Sequence, residues 1–145
     1  EEAGIIYLED DVVEIEGLYI YGNPYVPKYG NWAFMKTPEK LNRYWRKVKP
    51  IYADILVTHG PPKGILDKSY SRTREIDQCG DKSLLNMVKE LKPSYHLFGH
   101  IHDVSDLMNA GTCNISGINT TFSNGTVVTD RKFGTLTSNG NILEI

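Results

Sequence analysis

The chain has 145 residues and weighs 16.4 kDa, about one domain by length, so we expect residues 1–145 to form a single domain. Its 40% apolar and 23% charged residues argue against a disordered chain, and its apolar runs are too short to cross a bilayer. The formal net charge of −2 gives no basic excess for phosphate backbones, so we expect neither a nucleic-acid nor a membrane partner.

The first part of the chain predicts short strands followed by an aromatic loop. Residues 4–8 are apolar, residues 11–15 alternate between polar and apolar, and residues 18–21 follow one glycine later. Residues 22–31 hold two prolines, two glycines and two asparagines, which is loop composition. The rings in and after this loop have two interpretations: they pin the loop to the core, or they form the rim of a ligand pocket.

Two helices are predicted. Residues 38–48 follow Thr37 as N-cap, with Pro38 at the first helical position and an apolar stripe that favours core packing over a cofactor site. Residues 82–91 follow Asp81 as N-cap and carry a second stripe of leucines and valine.

The later strands end in chemistry-bearing residues. Residues 54–58 form a continuous apolar run, typical of a strand covered on both faces, and residues 94–98 are strand-like. Both runs lead into glycine and histidine. Residues 63–78 are predicted to form a long polar loop, and residues 120–123, 126–129 and 142–145 are predicted strands.

Three of the four histidines, His59, His100 and His102, lie just past the ends of apolar strands and next to glycine. Ligands of open α/β sheets gather beyond the carboxyl ends of strands. In an extended segment His100 and His102 would leave the same face about 6.5 Å apart, which suits one ion or two neighbouring ions. We therefore predict that these three histidines bind metal. His96 lies inside a strand, and we interpret it as a structural histidine.

The two cysteines, Cys79 and Cys113, are single and distant in sequence. They make neither a disulfide framework nor a zinc finger, so we expect a reducing, cytoplasmic location. The chain begins with Glu1 rather than Met, and we expect a fragment, a processed product or a trimmed chain. Its first residues show no signal-peptide pattern.

Several segments resemble the calcineurin-like metallophosphoesterases, in the branch named for a bare metallophosphoesterase domain. The similarity runs from near residue 4 to near residue 130 and is carried by Tyr-Gly-Asn-Pro-Tyr-Val-Pro (21–27), Trp-Ala-Phe (32–34), Asp-Ile-Leu-Val-Thr-His-Gly-Pro-Pro-Lys-Gly-Ile-Leu-Asp (54–67), Cys-Gly (79–80) and His-Leu-Phe-Gly-His-Ile-His-Asp (96–103). The combination of Thr-His-Gly-Pro-Pro with Gly-His-x-His is quite specific.

The resemblance implies an α/β fold, namely part of a two-sheet α/β/β/α sandwich with a dinuclear metal site at the strand ends. By position, His59 and His100 would bind one metal and His102 the other, the ions being Mn, Fe or Zn. The implied activity is hydrolysis of small phosphoester substrates, as a phosphodiesterase or phosphatase, including cyclic nucleotides in the similar branch. There, a metal-bridging hydroxide attacks phosphorus.

The sequence departs from the family in its acidic motifs. Asp-x-His, Gly-Asp and Gly-Asn-His motifs supply the bridging carboxylate and the acid/base histidine of the family. Here Gly22-Asn23 is followed by Pro24, and Gly80-Asp81 is interpreted as a helix cap. We therefore expect a C-terminal half that holds at most one metal, is inactive alone, and needs the N-terminal half in cis or in trans. The alternative hypothesis is a catalytically degenerate interaction module that keeps the fold without turnover.

Overall fold

The computed structural model describes residues 4–48, 52–104, 106–129 and 134–145. In chain order its elements are β1 (Asp11–Ile15), β2 (Leu18–Asn23), β3 (Val26–Pro27), β4 (Met35–Lys36), α1 (Pro38–Lys47), β5 (Ile55–Thr58), β6 (Lys68–Tyr70), β7 (Ile76–Gln78), α2 (Lys82–Leu91), β8 (Tyr95–Phe98), β9 (Gly111–Ile115) and β10 (Ile118–Asn124).

A six-stranded sheet forms the centre, with the strand order β1-β2-β5-β8-β10-β9. The four middle strands β2, β5, β8 and β10 run parallel, and the two edge strands pair antiparallel. The carboxyl ends of the four middle strands therefore lie side by side along one edge of the sheet.

The helices cover one face of this sheet. A cross-strand row formed by Tyr21, Leu56, His96 and Phe122 is in register across the four middle strands, and all four side chains are buried. Because side chains alternate between the faces of a strand, this row points to one side. There it joins the buried residues of α1 and α2, among them Trp45, in the main hydrophobic cluster.

Both predicted helix starts are confirmed. The Thr37 side chain accepts a hydrogen bond from the Lys40 amide, and the Asp81 side chain accepts one from the Ser83 amide. α2 has the predicted bounds, and α1 ends one residue earlier than predicted, at Lys47.

The opposite face of the sheet is only partly covered. Ile20 and Leu97 are half-buried there, and Val57 is 37% exposed. Leu8 reaches this face, since a Cβ at Gly22 would overlap its side chain. The architecture is thus α/β with one helix-covered face, and it is consistent with part of an α/β sandwich.

Several predicted strands are wrong. Residues 4–8 and 142–145 form no strand, and Ile142 is 95% exposed. The Asn141 side chain instead donates from Nδ2 to the backbone carbonyls of Gly111 and Asn124, which anchors the C-terminal segment without strand pairing. Residues 126–129 make only isolated bridges.

Two predicted loops contain regular structure. The segment 63–78 includes the antiparallel hairpin β6–β7, with Ile65 and Asp67 buried at its base. The aromatic loop includes β3, which pairs parallel with β4. Both ladders are two or three residues long, too short for alternation to mark them in a sequence.

Among the described residues, neither ten-residue helix has the length and apolar character that a membrane crossing requires.

Candidate active site

Backbone hydrogen bonds join the loops that leave the parallel strands. The Asn23 carbonyl at the end of β2 accepts from the His59 amide at 3.2 Å, and the His59 carbonyl accepts from the Gly99 amide at 3.1 Å. The Phe98 carbonyl at the end of β8 accepts from the Gly125 amide at 2.8 Å. The residues that follow four neighbouring strands are therefore held at one edge.

This edge brings two of the predicted metal-binding histidines together. The rings of His59 and His100 lie with centroids 4.5 Å apart, at the ends of the adjacent strands β5 and β8. His100 adopts a φ of +73°, a left-handed conformation that non-glycine residues rarely adopt. Strained backbone of this kind persists only where the surrounding structure holds it in place, and it is concentrated at functional sites.

His102 lies on the same loop as His100 and borders a cavity. A space of about 730 Å³ is bordered by His100, His102, Gly60, Tyr29 and the β6–β7 hairpin. Within the four described segments, however, no three His, Cys, Asp or Glu side chains stand together as a group that could hold a metal ion. The structure thus pairs His59 with His100 and leaves His102 beside them without completing a three-ligand cluster.

The paired rings are kept in the neutral form. Burial lowers the pKa of His59 below its ordinary value. Burial also lowers the pKa of His100, and the neighbouring His59 and His102 add smaller repulsive contributions. Neutral imidazole offers a nitrogen lone pair, so both rings have the protonation state that a metal ligand needs.

Buried amides hold the histidine loop in position. Asn124 Nδ2 donates to the carbonyl of Ile101 at 3.0 Å, and Asn109 Nδ2 donates to the carbonyl of His102 at 2.8 Å. Both asparagines are completely buried. Their second hydrogen bonds reach the carbonyls of Leu66 and Lys68, so the histidine loop is tied to the base of the β6–β7 hairpin.

The buried carboxylates near the site are occupied by structural contacts. Asp67 Oδ2 accepts from the amides of Gly64 and Gly80 at 2.8 and 3.0 Å. Asp103 Oδ1 accepts from the amides of Asn109 and Ala110 at 2.6 and 2.9 Å. The side chains whose lone pairs meet at this edge are therefore the neutral imidazoles of His59 and His100, which fit part of the coordination sphere of one ion. Asp67 and Asp103 each use one oxygen for these loop contacts.

His96 has the position expected of a structural histidine, fully buried within β8 and in contact with Thr58. The Thr58 hydroxyl donates to the Gly60 carbonyl at 2.7 Å and lies 2.9 Å from His96 Nε2. Since a hydroxyl has one proton to donate, Thr58 accepts from Nε2–H, and Nδ1 is left buried without a partner. The contact with Thr58 fixes the tautomer of His96, whereas the turn that carries His59 is held by the hydrogen bond from Thr58 to Gly60.

The aromatic loop contains residues that fit each of its two interpretations. Tyr25 packs edge-on against Phe34 and Tyr44, which pins the loop to α1. The ring centre of Tyr29 lies 5.4 Å from that of His100 and 5.2 Å from that of Trp32. Tyr29 is 63% exposed and Trp32 is 67% exposed. The exposed pair therefore forms a rim beside the histidines.

Sequence reasoning missed the supporting residues Asn109, Asn124 and Thr58. Thr58 and Asn124 share one signal that could have found them. Each is a polar residue at the end of a parallel strand, near a glycine that allows the chain to turn. Asn109 lies in an irregular segment, and no sequence pattern marks its burial.

The fold and this edge define an α/β protein with a histidine-lined site at its strand ends. A solved crystal structure aligns with 81% of the chain and 44% of its own length, with a TM-score of 0.54 and 15% identity, which supports the fold alone. A scan against protein-family models gives no match.

Similar sequences identify the family. A UPF0046 protein of Caenorhabditis elegans is 43% identical over 103 residues, covering 70% of the chain and 25% of that protein. The human metallophosphoesterase domain-containing protein 1 is 37% identical over 126 residues, covering 86% of the chain and 35% of that protein. A second UPF0046 protein of C. elegans is 33% identical and covers 84% of the chain and 38% of that protein.

The chain therefore belongs to the metallophosphoesterase-domain family, as the resemblance predicts. It spans between 25% and 38% of the length of these relatives, which fits the expectation of a partial domain.

Proposed function

We propose that this chain supplies part of the active site of a metal-dependent phosphoester hydrolase. One observation carries the proposal: two neutral imidazoles, His59 and His100, lie 4.5 Å apart where adjacent parallel strands end. In the proposal these two rings hold one divalent ion, and His102 offers a ligand at the adjoining metal position. The ions of such a site act as Lewis acids and lower the pKa of bound water.

The chain's own residues have defined tasks in this proposal. Asn109 and Asn124 hold the loop that carries His100 and His102, and the Thr58 turn orients His59. The cavity of about 730 Å³ beside the rings would receive a small phosphoester substrate. The bridging carboxylate and the acid/base histidine would come from the rest of the protein, in cis or in trans.

Metal binding is tested by titrating Mn²⁺ into the purified chain and measuring the heat released. We expect at most one ion per chain, with affinity lost in His59→Ala and His100→Ala. His96→Asn is the matched histidine control, since it should lower stability with little effect on affinity. Equal affinities in all four proteins would contradict the ligand assignment.

Turnover is tested with an aryl phosphodiester and Mn²⁺. We expect no useful hydrolysis by residues 1–145 alone, and hydrolysis once the upstream part of the protein is added in cis or as a separate chain. If the chain alone hydrolyses the substrate and His100→Ala abolishes the activity, the proposed division between two halves is wrong.

The second candidate is an interaction module that has lost catalysis. It is favoured by the structural hydrogen bonds that Asp67 and Asp103 make to loop amides and by the lack of a three-ligand group among the described residues. Failure of the full-length protein to bind Mn²⁺, with the fold intact by circular dichroism, would favour this candidate.

A further inference from the structure

A second, shallow cavity at the surface lies away from the histidines and is bordered mainly by cationic residues. It has a volume of about 290 Å³ and is bordered by Lys36, Lys40, Arg43, Tyr44 and Lys47. Four of these five residues are cations, and no described carboxylate borders the space. None of the five borders the cavity that contains His100 and His102.

The helical period explains why these cations converge. Lys40, Arg43 and Lys47 are spaced by three and four residues, so they share one exposed face of α1. Leu41 and Trp45 occupy the buried face of the same helix.

Aromatic rings position the fourth cation beside this face. Lys36 lies on β4, with its Nζ 3.6 Å from the ring centre of Tyr25 and 5.9 Å from that of Tyr44. A cation over a ring face is attracted by the negative π-surface, so the ammonium of Lys36 is held against Tyr25, beside the cavity that Lys36 borders.

The local charge is opposite to that of the whole chain. Residues 36–48 contain five of the 16 lysines and arginines but only one of the 18 acidic residues, Glu39. Glu39 is close enough to Arg43 to interact with it electrostatically. Even so, several like charges face one small space, and such a field attracts anions.

The size and chemistry of the cavity indicate its ligand. Lys and Arg are the side chains that bind phosphate oxygens, Arg through its planar fork and Lys as a point charge. The volume suits a small molecule, and four cations exceed what one phosphate group needs. We propose that this cavity binds a ligand with two or more adjacent phosphate groups, either a free oligophosphate or the headgroup of a multiply phosphorylated lipid.

The test titrates inorganic tripolyphosphate into the metal-free chain by calorimetry. In Lys40→Gln/Arg43→Gln we expect the affinity to fall at least about tenfold, because two charge-assisted contacts are removed. Lys82→Gln/Lys89→Gln removes the same charge from the exposed side of α2 and should bind like the wild type. His100→Ala should also bind like the wild type, since the proposed site excludes the histidines. Thermal melting confirms that each variant is folded.

Vesicles distinguish the two sources of phosphate. Phosphatidylcholine vesicles containing a bisphosphorylated phosphoinositide would bind the chain if the ligand is a lipid headgroup, again with loss in Lys40→Gln/Arg43→Gln. Vesicles containing only phosphatidylserine should not bind. The proposal would be overturned if the chain bound neither tripolyphosphate nor phosphoinositide vesicles. Equal losses of affinity in the two double variants, or a loss in His100→Ala, would also overturn it. So would binding to vesicles that contain phosphatidylserine as their only anionic lipid.

Discussion

Acidification should destabilise the fold through one buried histidine. His96 is fully buried, and burial lowers its pKa from an ordinary value of 6.5 to about 3. In the unfolded chain the ring takes up a proton near its ordinary pKa, so below that pH the unfolded state binds more protons than the folded state. The stabilisation is therefore fully present above pH 6.5 and is lost as the pH falls toward 3.

The expected loss is large enough to measure. One proton of difference changes the free energy of unfolding by about 1.4 kcal/mol per pH unit. Between about pH 6.5, where half of the unfolded chains already carry the proton, and about pH 4.5 the loss amounts to about 2.3 kcal/mol. Small domains have roughly 5–15 kcal/mol of total stability, so the change should move the denaturation midpoint clearly.

The assay is urea denaturation at successive pH values, followed by the fluorescence of the buried Trp45. His96→Leu removes the titrating group while keeping an apolar side chain in the same space, so its stability should change much less over this window. His59→Gln/His100→Gln should keep most of the slope, because those rings are only partly buried. If the wild type and His96→Leu lose stability in parallel, burial of His96 is not the cause.

Three further substitutions probe contacts around the site, each measured by chemical denaturation. Asp103→Ala leaves two amides without their acceptor and should cost about 2–5 kcal/mol, whereas Asp103→Asn keeps an acceptor oxygen and should cost less. Gly80→Ala should cost about 1–3 kcal/mol, since its Cβ would lie 2.5 Å from the Pro62 carbonyl oxygen, while Gly125→Ala has room and should be nearly neutral. Trp45→Phe removes the indole N–H that donates to the Asp81 carboxylate, the N-cap of α2, and should cost about 1–3 kcal/mol. An unchanged stability would mean that this buried hydrogen bond makes no net contribution.

Local signals in the sequence were sufficient for the helices and the central strands. Capping at Thr37 and Asp81 depends on a few adjacent residues, and the apolar runs at β5 and β8 reflect burial on a parallel sheet. Because parallel strands carry their carboxyl ends to one edge, the meeting of His59 and His100 also followed from the order of the elements.

The features that sequence reasoning missed depend on tertiary contacts. The segment 142–145 has an apolar pattern, but the Asn141 side chain anchors it to the carbonyls of Gly111 and Asn124, and it forms no strand pairing. The hydrogen bonds of Asp67 and Asp103 to loop amides depend on the folded arrangement of the loops, which no local sequence pattern marks. The buried position of Asn109 depends on contacts with segments distant in sequence.

We expect this edge by itself to hold at most one ion, and electrostatics supplies the reason. Unit charges about 4 Å apart repel by about 1 kcal/mol even in water, so two dications at the usual spacing repel by about 4 kcal/mol, and by more where water is excluded. Neutral imidazoles such as His59 and His100 contribute no negative charge to offset this repulsion. Asp67 and Asp103 each already accept hydrogen bonds from two loop amides through one oxygen. We therefore expect a second ion at this edge to need negative charge from elsewhere, such as a carboxylate from the rest of the protein.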